Sequence, residues 1–589
     1  MSDSENQLLK SPYGQVTFES IRRRNLALVD KSRMIEILES DAMTVYPVLL
    51  RPRRFGKSTF VQMLKCFYDI SYKDQYDELF AGTDIYLKNL PSHNTYHVLV
   101  LDFSRVDPHN SSVMYSSFFS AVSFGIKDFK RRYPDFAFAY DEIDRSDAVT
   151  LLNNFVAAYG SYSASGRLYL MIDEYDNFAN NILSQDLSLF KTITGDGGLL
   201  KAFYAAVKAA AADAGYIAKT FITGVSSVSL DSLTSGFNIS LNVTTDKHLN
   251  EYAGFTETEL QKIVPQLVDL PRIGMTADEV ISRMKPVYDG FCFSRFAENT
   301  VYNSSMCLFY LIELQKAGEF LPPEKYTDPA SDQDGLKLRQ LFDLAEDGLA
   351  ESVTDTYLSG DPFFLEKLSQ NINLNKTDRY DEVQFLSMLF YMGYLTIDPR
   401  RSSSDGLFLK VPNIFMAKLF AQCTVDLRLK PSSQFMDYSI DVSSLLETAD
   451  DLSGFASSCT EFLCSIFTSQ VLTHMSEMAL NLVLHAKLST VRGIYAEIQK
   501  SIRVPGEGEC YADLVITVNK GKSSECIYLV ELKYAAKSRA TSAFIEELKN
   551  EAVRQLTGYR TALEFRDRQI RSYAMVFAGS VCVYCGQCC

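Results

Sequence analysis

The first 245 residues alternate short apolar runs with helix-like stretches and contain no hairpin signal, and this pattern restricts the possible folds more than any other feature. The runs TVYPVLL (44–50), HVLVLDF (97–103), RLYLMID (167–173) and IAKTFIT (217–223) are rich in Val, Ile, Leu and aromatic residues along their length. A strand covered on one face alternates apolar with polar residues, whereas a strand covered on both faces does not. Between these runs lie the helical stretches STFVQMLKCFYD (58–69) and LLKAFYAAVKAAAADAG (199–215), the second ending on a helix-stopping Gly. Strand and helix in alternation predict an α/β domain with a largely parallel sheet.

The first chemical site follows from that frame. Directly after the run 44–50 come Arg51, Pro52, Arg53, Arg54, Phe55, Gly56, Lys57 and Ser58, then Thr59 and a helical stretch. This is the strand, loop, Gly-Lys-Ser, helix order of a nucleotide-binding P-loop. Backbone N–H groups of the loop surround phosphates, Lys57 neutralises the β and γ oxygens, and Ser58 ligates Mg²⁺. Arg51 stands where the usual pattern opens with Gly. The run 168–172 ends in Asp173 and Glu174, as expected of a carboxylate that holds Mg²⁺ and one that polarises the attacking water. In an open α/β sheet, ligands bind beyond the carboxyl ends of the strands, where both motifs sit. Thr223 ends a third strand and is a candidate for the γ-phosphate side, against the plainer reading of a strand-end turn.

With these residues in place, the chain resembles the AAA-ATPase-like family, whose members often carry a C-terminal PD-(D/E)xK nuclease-like domain. The resemblance rests on Phe18, Ile21, Asn25 and Val29-Asp30-Lys31, on RPRRFGKS, IDEYDNF (172–178), TGVSSVS (223–229), GFNIS (236–240), YDGF (288–291) and VYN (301–303). It implies that Arg51 belongs to the loop pattern, that ATP is bound and hydrolysed, and that residues 246–330 form a small helical lid over a P-loop domain of 15–245. It also gives Arg53 and Arg54 a role at phosphate or at a subunit interface, which leaves a homo-oligomer open. The alternative is that both simply form salt bridges with nearby carboxylates.

Beyond 246 the character is mixed helical, with turn-rich segments at 331–336 and 401–406 that predict surface loops and a connector at 430–445. Residues 331–445 are expected to be a mixed helical region and 446–589 a restriction-endonuclease-like α/β domain. The second chemical site lies in that last part. CYADLVITV (510–518) and CIYLVELK (526–533) flank a polar Gly-containing turn. A hairpin symmetric about Lys522 sets Asp513 opposite Glu531, and the period of two puts Asp513, Glu531 and Lys533 on one face with Val515 and Leu529. Opposed carboxylates destabilise a sheet unless a cation relieves them. Asp513 and Glu531 suit Mg²⁺, and Lys533 could activate water. This D…E-x-K arrangement resembles the restriction-endonuclease-like core, and Gln555 and Tyr559 are similar to its Gln-x-x-x-Tyr. Glu477 is the candidate for the helix-borne Glu, with Glu497 as competitor. The opposing reading is an exposed salt bridge from Lys533, or an inactive relic.

Composition sets the outer limits. The chain of 589 residues, 47% hydrophobic and 22% charged, predicts a globular protein of about three to five domains. A net charge of -15 speaks against general affinity for nucleic acid, yet residues 489–589 carry +3 and the rest -18, so any DNA or RNA partner is expected at the C-terminal domain. No apolar run approaches the ~18–20 residues of a membrane span and the start, MSDSENQLLK, is polar. An intracellular protein, cytoplasmic or nuclear, without a membrane partner is expected. Six His, none in a ligand-like pair, argue against a His-based nuclease or triad hydrolase. Of twelve Cys, Cys582, Cys585, Cys588 and Cys589 crowd the end and read either as a thiophilic metal site or as a tolerated tail. Two functions compete: an ATPase coupled to a Mg²⁺-dependent nuclease, and a nucleotide-switched interaction protein. Convergence of Asp513, Glu531 and Lys533 separates them.

Overall fold

The four apolar runs become the strands β1 (Pro47–Leu50), β2 (His97–Asp102), β3 (Leu168–Asp173) and β4 (Ile217–Gly224), which with the short β5 (Leu241–Asn242) form one parallel sheet in the order β2-β3-β4-β1-β5. A computed structural model of the chain describes residues 8–15, 17–40, 43–88, 90–139, 147–163, 167–183, 186–213, 215–228, 233, 236–370, 379–429, 439–506, 508–566 and 568–588. Every residue of β1 and β3 is buried, which explains why neither run alternates. Burial of each such Val, Leu or Ile side chain contributes about 1.5–3 kcal/mol. The two-residue β5 carries no recognisable apolar run and was not anticipated from the sequence. Helices on the connections cover the sheet, among them the P-loop helix Lys57–Tyr68, which buries Phe60, Val61, Leu64 and Phe67. The stretch 199–215 is an α-helix only to Lys208 and continues as a π-helix over Ala209–Asp213.

The chain divides into two compact units. Unit 1 comprises residues 1–330, 344–346 and 364–413. Its helices beyond the sheet include Glu257–Leu267 and Ala277–Tyr288, each opened by a capping box, Thr256 with Glu259 and Thr276 with Glu279. The short strands β6 (Phe363–Leu365), β7 (Thr396–Ile397) and β8 (Leu407–Lys410) form a small sheet in the order β6-β8-β7. The turn-rich segment 401–406 is the loop between β7 and β8, as expected.

Unit 2 comprises residues 331–343, 347–363 and 414–589. Segment 331–336, expected as a loop, instead opens the helix Asp332–Asp343. The correction has a physical cause: Leu338, Leu341 and Phe342 recur at helical spacing and are buried, and that burial outweighs the polar turn-formers. The expected connector lies mostly at 430–438, outside the described residues. The second sheet has the order β13-β12-β11-β10-β9, from β9 (Ile494–Val504), β10 (Gly508–Val518), β11 (Cys526–Ala535), β12 (Ile570–Ala578) and β13 (Val581–Cys588). β10 and β11 form the antiparallel hairpin, and β11 pairs parallel with β12 through the crossover helix Ser542–Tyr559. That helix packs Ala552, Leu556 and Tyr559 on Val515 and Leu529. The terminal Cys residues are not a loose tail. Cys582, Cys585 and Cys588 lie in β13, and Cys589 is outside the described residues.

Candidate functional site

β1 delivers the chain into the P-loop at its carboxyl end. Arg54 and Gly56 both take left-handed backbone, φ +68° and +91°, which reverses the chain into the helix that starts at Lys57. Lys57 is 3% exposed; its ammonium donates to the Pro52 carbonyl at 3.1 Å and pairs with Glu174 at 3.6 Å. The P-loop and the acidic strand end therefore meet, although β4 lies between β1 and β3. Asp173 accepts the Glu174 N–H at 2.9 Å and a hydrogen bond from Ser58. Burial, reinforced by the Glu174 charge, pushes its carboxyl up to about 7 against the pull of Ser58 and Lys57. A buried carboxylate and a hydroxyl in contact are a hard-oxygen pair that fits Mg²⁺.

The neighbouring candidates divide. The buried Arg51 guanidinium donates to the carbonyls of Leu50 at 2.7 Å, Thr244 at 2.9 Å and Leu249 at 2.7 Å, and lies over the Phe293 ring. It ties the loop to the following chain: the fourth Nη hydrogen faces the Asn250 carbonyl at 3.5 Å, and Nε is buried without a partner. Thr223 donates to the Leu49 carbonyl at 2.6 Å, holding β4 on β1. The Phe55 ring stands edge-on to Phe291 and Phe293. Arg53 donates to Asn177 at 3.1 Å, and the Arg54 carbonyl accepts from Ser304 at 2.9 Å. Gly56 and Thr59 line a pocket of about 130 Å³ with Ile21, Val29, Phe255 and Leu308, and Lys31 at its wall. A small apolar recess beside a phosphate loop suits a nucleobase.

Sequence reasoning passed over Asp176. Fully buried, it accepts the N–H groups of Val225 at 3.0 Å and Ser226 at 2.7 Å and the Ser226 hydroxyl at 2.8 Å, locking the loop after β4 to the acidic motif. The signal was present as a third acid in IDEYDNF, but only geometry gives it a task.

In unit 2 the hairpin register is the one symmetric about Lys522, with Leu514 opposite Val530 and Val515 opposite Leu529. Asp513 accepts the Leu532 N–H at 3.1 Å and Gln499 at 2.9 Å. Glu531 is 2% exposed; its Oε1 accepts from Lys533 at 3.1 Å and its Oε2 has no hydrogen-bond donor. Burial, then the adjacent Asp513, push the Glu531 carboxyl up to about 8, while Lys533 opposes the shift. Lys533, itself 6% exposed, also reaches Glu477 at 3.6 Å and Glu551 at 3.8 Å. The salt bridge is therefore buried, not exposed. Ser476 caps the helix Glu477–Leu488, and that places Glu477 to accept the Tyr534 N–H at 3.1 Å. Glu497, opposite Val515 on β9, pairs with Lys500 at 3.0 Å. From the crossover helix, Gln555 Oε1 is buried without a partner and Tyr559 donates to the Tyr511 carbonyl at 3.2 Å. Glu551 and Gln499 were not anticipated.

Among the described residues no group of three or more His, Cys, Asp or Glu is arranged to hold a metal ion. At the hairpin the Lys533 ammonium stands between the carboxylates. The adjacent Asp513 and Glu531, with one acceptor oxygen lacking a donor, nonetheless form an oxygen set that fits a hard divalent cation. Among the described residues, no helix is long and apolar enough to cross a membrane.

Residues 12–234 match the family described as predicted AAA-ATPase, so this segment is AAA-ATPase-like, and the five-strand parallel sheet is consistent with a P-loop ATPase fold. An uncharacterized protein in the vnfD 5′ region of Azotobacter chroococcum mcd 1 is 26% identical over 470 residues, 78% of each chain. A Walker-type ATPase of Pyrococcus abyssi superposes with a TM-score of 0.35 and 12% identity, over 70% of this chain and 99% of that one.

Proposed function

We propose that unit 1 binds and hydrolyses ATP with Mg²⁺ and that unit 2 is a Mg²⁺-dependent nuclease-like domain acting on DNA or RNA. The observation that carries the first part is the meeting of Lys57 and Ser58 with Asp173 and Glu174 at the carboxyl ends of β1 and β3. In this reading the base enters the pocket lined by Thr59 and Val29, and loop N–H groups and Lys57 receive the phosphates. Lys57 exchanges its contacts with Pro52 and Glu174 for phosphate oxygens, which frees Glu174 to orient water. Ser58 and Asp173 would hold the Mg²⁺, which supplies charge neutralisation on the phosphates.

Unit 2 is read as a nuclease because Asp513, Glu531, Lys533 and Glu477 converge from two strands and a helix. Asp513 and Glu531 would hold the cation, whose role is to polarise the scissile phosphate. Lys533 would orient water, and Gln555, one helical turn beyond Glu551, carries a buried acceptor without a donor. One observation favours the second reading, a nucleotide-switched binding protein: Lys533 already neutralises the carboxylates, as in an inactive site. The test is purified full-length protein with Mg²⁺, with and without ATP, on single- and double-stranded DNA and RNA, with phosphate release measured in parallel. Phosphate release without cleavage of any substrate selects the switch. Absence of both overturns the proposal.

A further inference from the structure

Asp30, Asp289 of YDGF and Tyr302 of VYN have no task in the chemistry above, yet in unit 1 they line one groove of about 770 Å³. Its inner wall includes Asp289 and Tyr302, 5% and 1% exposed. Asp289 Oδ2 accepts from Thr300 at 3.0 Å, while Asp289 Oδ1 and Tyr302 Oη have no hydrogen-bond partner. Each such buried unmade bond is unfavourable, a cost a bound group can remove. Burial raises the Asp289 carboxyl above its ordinary value, against the opposing pull of the Gly290 N–H, the Thr300 hydroxyl and the Lys285 charge.

Charge in the groove is layered. Asp289 and Asp398 are buried, Asp30, Glu251 and Glu259 are half-buried, and the basic residues Arg33, Lys262, Lys285, Arg400 and Lys410 are all exposed. Acids therefore hold the interior, while the rim carries both signs, with Asp84, Glu257 and Glu298 exposed beside the bases. The carboxylates are spread along the groove and, among the described residues, form no metal-binding group.

We propose that this groove binds an organic cation, a guanidinium or primary ammonium on a flexible chain, whose charged head reaches Asp289 and Tyr302. A long cation with several charges matches carboxylates spaced along a groove better than a compact ion does. The same head group is carried by a free polyamine and by an arginine or lysine side chain of a partner segment. The site also adjoins the nucleotide pocket. Lys31, which lines that pocket, donates to Glu259 at 2.6 Å and to the Glu251 carbonyl at 2.9 Å, and the Glu251 carboxylate pairs with Arg33 and accepts from Asn299. A cation in the groove competes with Lys31 for Glu259, so its binding is linked to that of nucleotide, reciprocally. Only this linkage rests on the ATP reading.

The test is calorimetry on the full chain at low ionic strength, with spermidine and separately with a tetra-arginine peptide. Saturable binding is expected for at least one probe, weakened about tenfold by Asp289→Asn and less by Glu251→Gln. The melting midpoint of each variant identifies misfolding, and Glu251→Gln keeps the test valid if Asp289→Asn does not fold. Which probe binds identifies the source of the cation. No saturable binding by either probe, or equal binding by all folded variants, overturns the site. A several-fold change in the affinity of a non-hydrolysable ATP analogue at saturating probe is expected; no change overturns the linkage alone. Probe binding without any nucleotide binding overturns the ATP reading and leaves this site standing.

Discussion

The side chains at both sites do their work by being buried next to charge. Lys57 at 3% exposure has its contacts with Pro52 and Glu174 to exchange for phosphate, so Lys57→Ala is expected to abolish ATP binding or lower turnover about 100-fold or more, read by phosphate release. Asp513→Ala and Lys533→Ala are each expected to abolish nucleic-acid cleavage while leaving phosphate release intact. Asp173 and Glu531, raised to about 7 and about 8, bind protons more tightly in the folded chain than in the unfolded one, where carboxyls titrate near 4. The folded state therefore holds the extra protons between about pH 4 and those raised values, and its stability falls as pH rises through them. In chelator, the melting midpoint is expected to drop between about pH 5 and pH 8.5, and Asp173→Asn with Glu531→Gln to flatten that slope. A slope unchanged by both substitutions would exclude these carboxyls as its source.

Secondary-structure elements bring those side chains together, and two of them do so through backbone that admits no other residue cheaply. Gly56 at φ +91° starts the P-loop helix; nothing comes nearer a Cβ there than Ser304 at 3.7 Å, so Gly56→Ala meets strain rather than a clash. A cost of about 1–2 kcal/mol in stability is expected, with weakened nucleotide binding read by calorimetry. Gly224, by contrast, lies against Asp176, whose Oδ1 would be 2.2 Å from a Cβ. Asp176→Ala leaves the Val225 and Ser226 N–H groups without their acceptor and is expected to cost about 3 kcal/mol in a denaturant titration. In the hairpin, symmetry about Lys522 was legible because a period-two pattern and a polar turn together fix register. The helix at Asp332–Asp343 was not, since Gly, Ser and Asp at its start signal a turn, and the burial of Leu338 and Phe342 that overrides them is a tertiary fact.

Across the whole molecule the residues proposed for the two sites fall in different units, Lys57, Ser58, Asp173 and Glu174 in one and Asp513, Glu531, Lys533 and Glu477 in the other. Lys57→Ala is accordingly expected to leave the circular dichroism and melting of unit 2 unchanged, whatever it does to coupling between ATP and cleavage. The sequence by itself determined the α/β class of the first unit, the P-loop with Lys57 and Ser58, the acidic strand end at Asp173, and the pairing geometry of Asp513 with Glu531. These are set by local order: a strand must end before a loop can cradle phosphate, and alternation along a strand decides which side chains share a face. Only the tertiary structure decided that Arg51 is spent on carbonyl oxygens, that Thr223 holds one strand to another, that Asp176 braces the loop beyond β4, and that Glu551 reaches Lys533. Each of these depends on which partners lie within about 3–4 Å after packing, and residues far apart in the chain acquire that proximity only when the core has closed around them.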